Sequence, residues 1–166
     1  MADLTIDALK ERFTEAIVAT RLFRGEITVT LRRDKLVETA TELRDDPDWR
    51  FNFLSDITCA DMLPRKPRFD VVYHLCSVPS GRRLRLKVQV DLDDAVLPTV
   101  TGVWPAANWY EREVFDLFGI RFEGHPNLIR ILLPEDYDGH PLRRDHPTGK
   151  AKIPFGPTSE RPPWLT

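Results

Sequence analysis

Between residues 124 and 147 three histidines stand directly before prolines: His125-Pro126, His140-Pro141 and His146-Pro147. Imidazoles near carboxylates can hold a metal or move protons. The spacing argues against a metal. The histidines lie in a Pro-punctuated segment, not at i, i+4 on a helix, and no HExxH occurs. Glu111, Glu113, Asp116, Glu135 and Asp136 could supply an acid–base pair if the fold brought two together. Basic neighbours (Arg112, Arg121 and Arg130) make ion pairing the ordinary explanation. Nucleophilic catalysis lacks a GxSxG elbow or a cysteine signature. Nucleotide binding lacks GxGxxG and a P-loop. Cys59 and Cys76 form no CxxC, so this chain alone builds neither a zinc ribbon nor an iron–sulfur site, and reduced thiols are expected. No catalytic residue, cofactor site or metal site is expected in the chain.

The same stretch suits an interface. A residue before proline is pushed toward extended backbone, so three His-Pro steps stiffen the chain and lower the entropy lost on docking. Arg130, Arg143 and Arg144 offer forked donors to carboxylates. Eight of the 14 prolines follow residue 122, yet Ile129, Ile131, Leu132, Leu133, Tyr137, Leu142, Ile153, Phe155 and Trp164 are there too. An irregular chain with apolar groups at intervals needs a surface to lie on.

Upstream, the hydrophobic spacing predicts ordinary elements. Ile6, Leu9, Phe13, Ala16 and Ile17 predict a helix over 5–18. Ile27, Val29 and Leu31 predict a strand. Asp34 is placed to cap a helix through Leu36, Ala40 and Leu43 that Pro47 ends. Strands are expected over 51–57 and 71–78. Arg83 to Leu92 alternates strictly, giving a hairpin across Pro79-Ser80-Gly81 with one buried and one wet face. Asn108 and Glu111 resemble a capping box for a helix over 108–118, with Gly119 as its C′ residue. On that helix Arg112, Glu113 and Asp116 fall opposite the apolar arc, whereas Glu111 falls inside it. Leu128 to Leu133 reads as a strand. The fold expected is α+β: a mixed, partly antiparallel sheet with helices on one face, a globular domain over 1–122, and an irregular Pro-rich docking extension over 123–166.

With 166 residues, 42% hydrophobic and 30% charged, a soluble globular protein is expected. A net charge of −2 gives no reason to expect nucleic acid or an anionic membrane as partner. The opening MADLTIDALKERF lacks the apolar core of a secretory signal, and no run of about 18 apolar residues suggests a membrane helix.

From Asn108 to Pro147 the residues resemble a known family. Glu111-Arg112-Glu113, Asp116-Leu117-Phe118-Gly119-Ile120, Gly124-His125-Pro126, Arg130-Ile131-Leu132-Leu133-Pro134-Glu135-Asp136 and Gly139-His140-Pro141-Leu142-Arg143-Arg144-Asp145 look like the signature of the 30-kDa-subunit family of respiratory complex I. Ile129 stands where that family commonly has a basic residue, Tyr137 where Trp is frequent, and His146 where an aromatic is common. The resemblance implies a subunit of the hydrophilic arm of a proton-pumping NADH:quinone oxidoreductase, on the cytoplasmic side of the bacterial membrane. It implies no redox centre in this chain, since FMN, iron–sulfur clusters and quinone belong to partner subunits. Docking is implied chiefly on the hydrogenase-large-subunit-like D subunit, and also on the B and I subunits. The interface residues implied are Glu111, Arg112, Glu113, Asp116, His125, Arg130, Asp136, His140, Arg143, Arg144 and Asp145. A related membrane-bound hydrogenase or ferredoxin-fed dehydrogenase could use the same module. A stand-alone metal-dependent hydrolase built on the histidines is the remote alternative. Replacing Arg143 and Arg144 by alanine is expected to weaken docking and spare the isolated domain.

Overall fold

A computed structural model describes residues 4–147. Strands β1 (Ile17–Phe23), β2 (Glu26–Leu31), β3 (Phe53–Asp61), β4 (Phe69–Cys76) and β5 (Arg83–Val90) form one sheet in the order β1-β2-β5-β4-β3. Every neighbouring pair is antiparallel except β2 and β5, which run parallel with Ile27 opposite Leu84 and Leu31 opposite Val88.

Alternation decides which face is covered. Val29 and Leu31 of β2, Leu84, Leu86 and Val88 of β5, and Val71, Tyr73 and Leu75 of β4 are all buried. Helices α1 (Ile6–Arg12), α2 (Leu36–Asp45) and α3 (Ala107–Phe118) add Leu9, Leu36, Ala40, Leu43, Ala107, Val114 and Phe118 to the same core. Each fully buried Leu or Val contributes about 1.5–3 kcal/mol over an exposed one. The α+β fold with helices on one face is therefore as the sequence indicates. On the other face Arg85 pairs with Glu26 (2.8 Å) and Lys87 with Asp70 (3.0 Å). A short parallel pair, β6 (Val96–Pro98) and β7 (Arg121–Glu123), brings together the chain entering and leaving α3.

Several local expectations are corrected. The first helix stops at Arg12, and Ile17 already begins β1. The β-branched Ile17, Val18 and Thr20 suit a strand, and Ile17 pairs with Leu31. As an outer strand β1 buries little, so it shows no clean alternation. Asp34 does not cap α2. It sits in a 3-10 turn, Arg33–Lys35, and bonds to Arg32 at 3.0 and 3.1 Å. α2 ends at Asp45, ahead of Pro47. The next residue, Asp46, takes the N–H groups of Asp48 and Trp49 and pairs with Arg12. Leu128 to Leu133 forms no strand, because the N–H groups of Ile131, Leu132 and Leu133 are claimed by a side chain. Residues 148–166 of the expected extension lie outside the described residues.

Candidate functional site

The family-like residues converge on α3. The helix starts at Ala107 with no side-chain cap, so Asn108 and Glu111 form no capping box. Glu111 is fully buried, as its place in the apolar arc implies. Its carboxylate reaches the loop after β6, where Thr99 Oγ1 donates to Oε2 (2.5 Å) and the Val100 N–H to Oε1 (2.7 Å). Burial pushes this carboxyl from its ordinary 4.5 up to about 7, against the opposing pull of those two bonds.

Asp116 corrects the helical wheel, which put it on the solvent side: it is fully buried. The extension after β7 lies over it. One oxygen, Oδ2, accepts the backbone N–H groups of Ile131, Leu132 and Leu133 at 3.0, 2.8 and 2.9 Å. Successive N–H groups turned inward make an anion-holding nest. The other oxygen accepts from Arg130 Nη1 (2.9 Å), and Arg130 Nη2 also donates to Tyr137 O (3.1 Å). Burial alone would raise the Asp116 carboxyl. The three N–H groups and the guanidinium outweigh it and hold the carboxyl below its ordinary range. Arg112 Nε and Nη2 donate to the carbonyls of Ile129 and Arg130, each at 3.1 Å.

The C-terminal end of α3 is closed by the same extension. A helix leaves its last carbonyls without intrahelical partners. Here His140 Nδ1 meets Asp116 O (2.8 Å), the Leu142 N–H meets Leu117 O (3.2 Å) and Arg143 Nε meets Phe118 O (2.6 Å). A carbonyl only accepts, so the His140 proton sits on Nδ1. Gly119, with φ 74°, ends the helix in the left-handed region. A Cβ there would run into the Arg143 guanidinium and the His140 ring.

A second anchor joins the extension to β3 and β4. Arg68, only 4% exposed, donates two bonds to Asp61 (3.0 and 2.6 Å) and two to Asp145 (2.9 and 2.6 Å). Asp61 also accepts the Arg144 N–H (2.8 Å), and Arg144 Nη1 donates to Leu63 O (2.6 Å). The Arg68 guanidinium holds the Asp61 carboxyl well below its usual range. Arg143 and Arg144 thus bond within their own chain. The expectation that their loss spares the isolated domain is revised accordingly.

The remaining family-like residues sit elsewhere. His125 Nε2 contacts Asn108 O (3.1 Å), while its Nδ1 accepts the Asn127 N–H (3.0 Å). His146 stacks on Tyr137 and meets its hydroxyl at 3.1 Å. Glu113 and Asp136 are exposed. The three histidines are therefore spread along α3 and the extension. Among the described residues no cluster of three or more His, Cys, Asp or Glu side chains could hold a metal. Both cysteines are unpaired, and burial pushes the Cys59 thiol up to about 12. A concavity of about 550 Å³ on the open sheet face, lined by Phe53, Asp56, His74 and Arg85 among others, shares no residue with the family-like set. Thr99, Asp61 and Arg68 were not singled out from sequence. No motif marks them, and their importance is a matter of which loops meet.

Residues 29–152 match the family described as respiratory-chain NADH dehydrogenase, 30 Kd subunit. The chain is 49% identical over 150 residues to the C subunit of the NADH-quinone oxidoreductase of Roseiflexus sp. (strain RS-1), covering 90% of this chain and 86% of that one. It is 48% identical over 148 residues to the protein of the same name from Citrifermentans bemidjiense, covering 89% and 91%. Among solved structures, a trypsin-resistant fragment (1-134) of Nqo5 superposes with a TM-score of 0.63 at 41% identity, over 74% of this chain and 97% of the fragment. A chain of the membrane-bound sulfane sulfur reductase, an archaeal respiratory membrane complex, superposes with a TM-score of 0.74 at 26% identity, over 95% and 94%. The chain belongs to the 30-kDa-subunit family of the respiratory-chain NADH dehydrogenase.

Proposed function

We propose that this chain is a non-redox structural subunit of a proton-pumping NADH:quinone oxidoreductase, complex I, and holds part of its hydrophilic arm together. One observation carries this reading. The family-like polar groups fold an extension onto α3, where Asp116, Arg130, His140 and Arg143 bond to backbone or to each other. Such groups build a shape for a neighbour rather than a place for a substrate. The similarity to two chains named as the C subunit of NADH-quinone oxidoreductase, over about nine-tenths of this one, supports the same reading.

In this role the extension over 123–166 docks chiefly on the hydrogenase-large-subunit-like D subunit and also meets the B and I subunits. Flavin, iron–sulfur clusters and quinone are carried by those and other partners. The chain sits on the cytoplasmic side of the cell membrane. Among the described residues no helix is long and apolar enough to cross a membrane, so attachment runs through the partners. A second reading, the equivalent subunit of a sister membrane complex not fed by NADH, draws on the likeness to the sulfane sulfur reductase chain.

Affinity purification from the native host tests the choice. An NADH-binding flavoprotein should come down with the chain. Its absence, with the other hydrophilic-arm subunits present, would favour the sister complex. Recovery of the chain alone at physiological salt would overturn both.

A further inference from the structure

Arg130, Arg143, Arg144 and Asp145 are consumed in folding the extension, yet large apolar side chains are left outside. Trp109 is 62% exposed, Ile129 53%, Leu132 60% and Leu142 52%. Each stands on backbone that is already fixed. The Arg112 guanidinium lies over the Trp109 ring at 5.2 Å and its Nε holds the Ile129 carbonyl at 3.1 Å. The Leu132 N–H is held by Asp116, and the Leu142 N–H by the Leu117 carbonyl. The four residues are therefore tethered along α3 from its first turn to its last, with their side chains exposed. Exposed apolar groups on a rigid support are the pattern of an interface centre, because little conformational freedom is left to lose on binding.

Arg112 flanks the Trp109 end of this ridge, whereas the segment that follows Leu132 is acidic. Glu135, Asp136 and Asp138 follow Leu132 closely, are exposed, and have no ion pair among the described residues. We propose that this ridge, centred on Ile129 and Leu132, is the contact surface for another subunit, one presenting an apolar patch bordered by lysine or arginine. The inference rests on the functional reading above and gives the docking surface its residues. It moves the contact from the charged family-like residues to the apolar ones between them. A second copy of this chain fits less well, since a symmetric contact through the same ridge would bring one acidic border toward the other.

The test uses the full chain expressed in its host with its partners. One variant carries Ile129→Asp and Leu132→Asp, and another Glu135→Lys and Asp136→Lys. The aspartate pair should cut co-purified partner at least tenfold while the purified chain melts as the wild type does, because both side chains are exposed. The lysine pair should weaken recovery at low salt, with the difference from wild type fading as salt rises. Wild-type recovery by the aspartate pair, with wild-type chain bringing down its partners, overturns this inference alone. Concentration-dependent self-association of the wild type that the aspartate pair abolishes overturns the choice of occupant. A wild-type chain that recovers no partner overturns the functional reading and this inference with it.

Discussion

The guanidinium of Arg130 meets the buried carboxylate of Asp116 at 2.9 Å, joining the extension to the last turn of α3. The same carboxylate holds three consecutive backbone N–H groups of the extension. One side chain thus replaces the sheet neighbour that Ile131, Leu132 and Leu133 would otherwise need.

Replacing Asp116 by alanine should therefore cost about 3–5 kcal/mol, because it leaves a charge and three N–H groups without their acceptor. Asparagine should cost less, since its carbonyl oxygen can still accept. Urea denaturation reads both values, and limited proteolysis should cut Asp116→Ala first between residues 128 and 142. An alanine variant within about 0.5 kcal/mol of wild type would refute the anchor.

Gly119→Ala should destabilise through two separate effects, a left-handed backbone and a methyl group driven into His140 and Arg143. Together they should cost about 2 kcal/mol or more. Gly119→Asn separates them, because asparagine tolerates left-handed backbone but still carries a Cβ. If Gly119→Asn melts with the wild type, the close approach of the extension is not what requires glycine here.

Glu111 gives a pH dependence of definite sign. Its folded carboxyl titrates near 7 against an ordinary 4.5, so the folded state favours the protonated form. The stability this contributes is complete below about pH 4.5 and is lost as pH rises to about 7, on the order of 3 kcal/mol. Asp116 and Asp61 act oppositely, since their lowered carboxyls give stability that disappears as pH falls below their ordinary 3.8. Denaturation midpoints from pH 3 to 9 should show both limbs. Glu111→Gln should flatten only the upper one, and an unchanged upper limb in that variant would assign it to another group.

Tyr73 lies at the centre of β4, fully buried, and its hydroxyl has no hydrogen-bond partner among the described residues. Tyr73→Phe removes a polar atom that gains nothing by folding. It should stabilise the chain by about 1 kcal/mol, seen as a higher denaturation midpoint with unchanged slope. A loss of stability instead would show that the hydroxyl has a partner in the working protein.

The sheet was readable because β2, β4 and β5 alternate on a buried face, and the α3 end because Gly119 follows a helical apolar stripe. Other features depended on partners far away in sequence. Asp116 falls on the polar side of its helix by spacing, and only the extension returning over it makes that side interior. Leu128 to Leu133 has strand composition, yet its N–H groups find a carboxylate rather than another strand. Glu111 has capping spacing from Asn108, but the helix has its N-cap at Ala106, and Thr99 takes the Glu111 carboxylate instead. Arg143 and Arg144 read as free donors because nothing near them in sequence shows Phe118, Asp61 or Leu63.

The parallel register of β2 on β5 has a consequence for biosynthesis. Ile27 and Leu31 leave the ribosome long before Leu84 and Val88, their partners in the sheet. The β1–β2 hairpin can close on its own, but its inner edge stays unsatisfied until β3, β4 and β5 have been made. An isolated two-stranded hairpin is at best marginally stable in water. The β1–β2 hairpin must therefore wait, and nascent chains released before Val90 should stay protease-sensitive from their first strand onward.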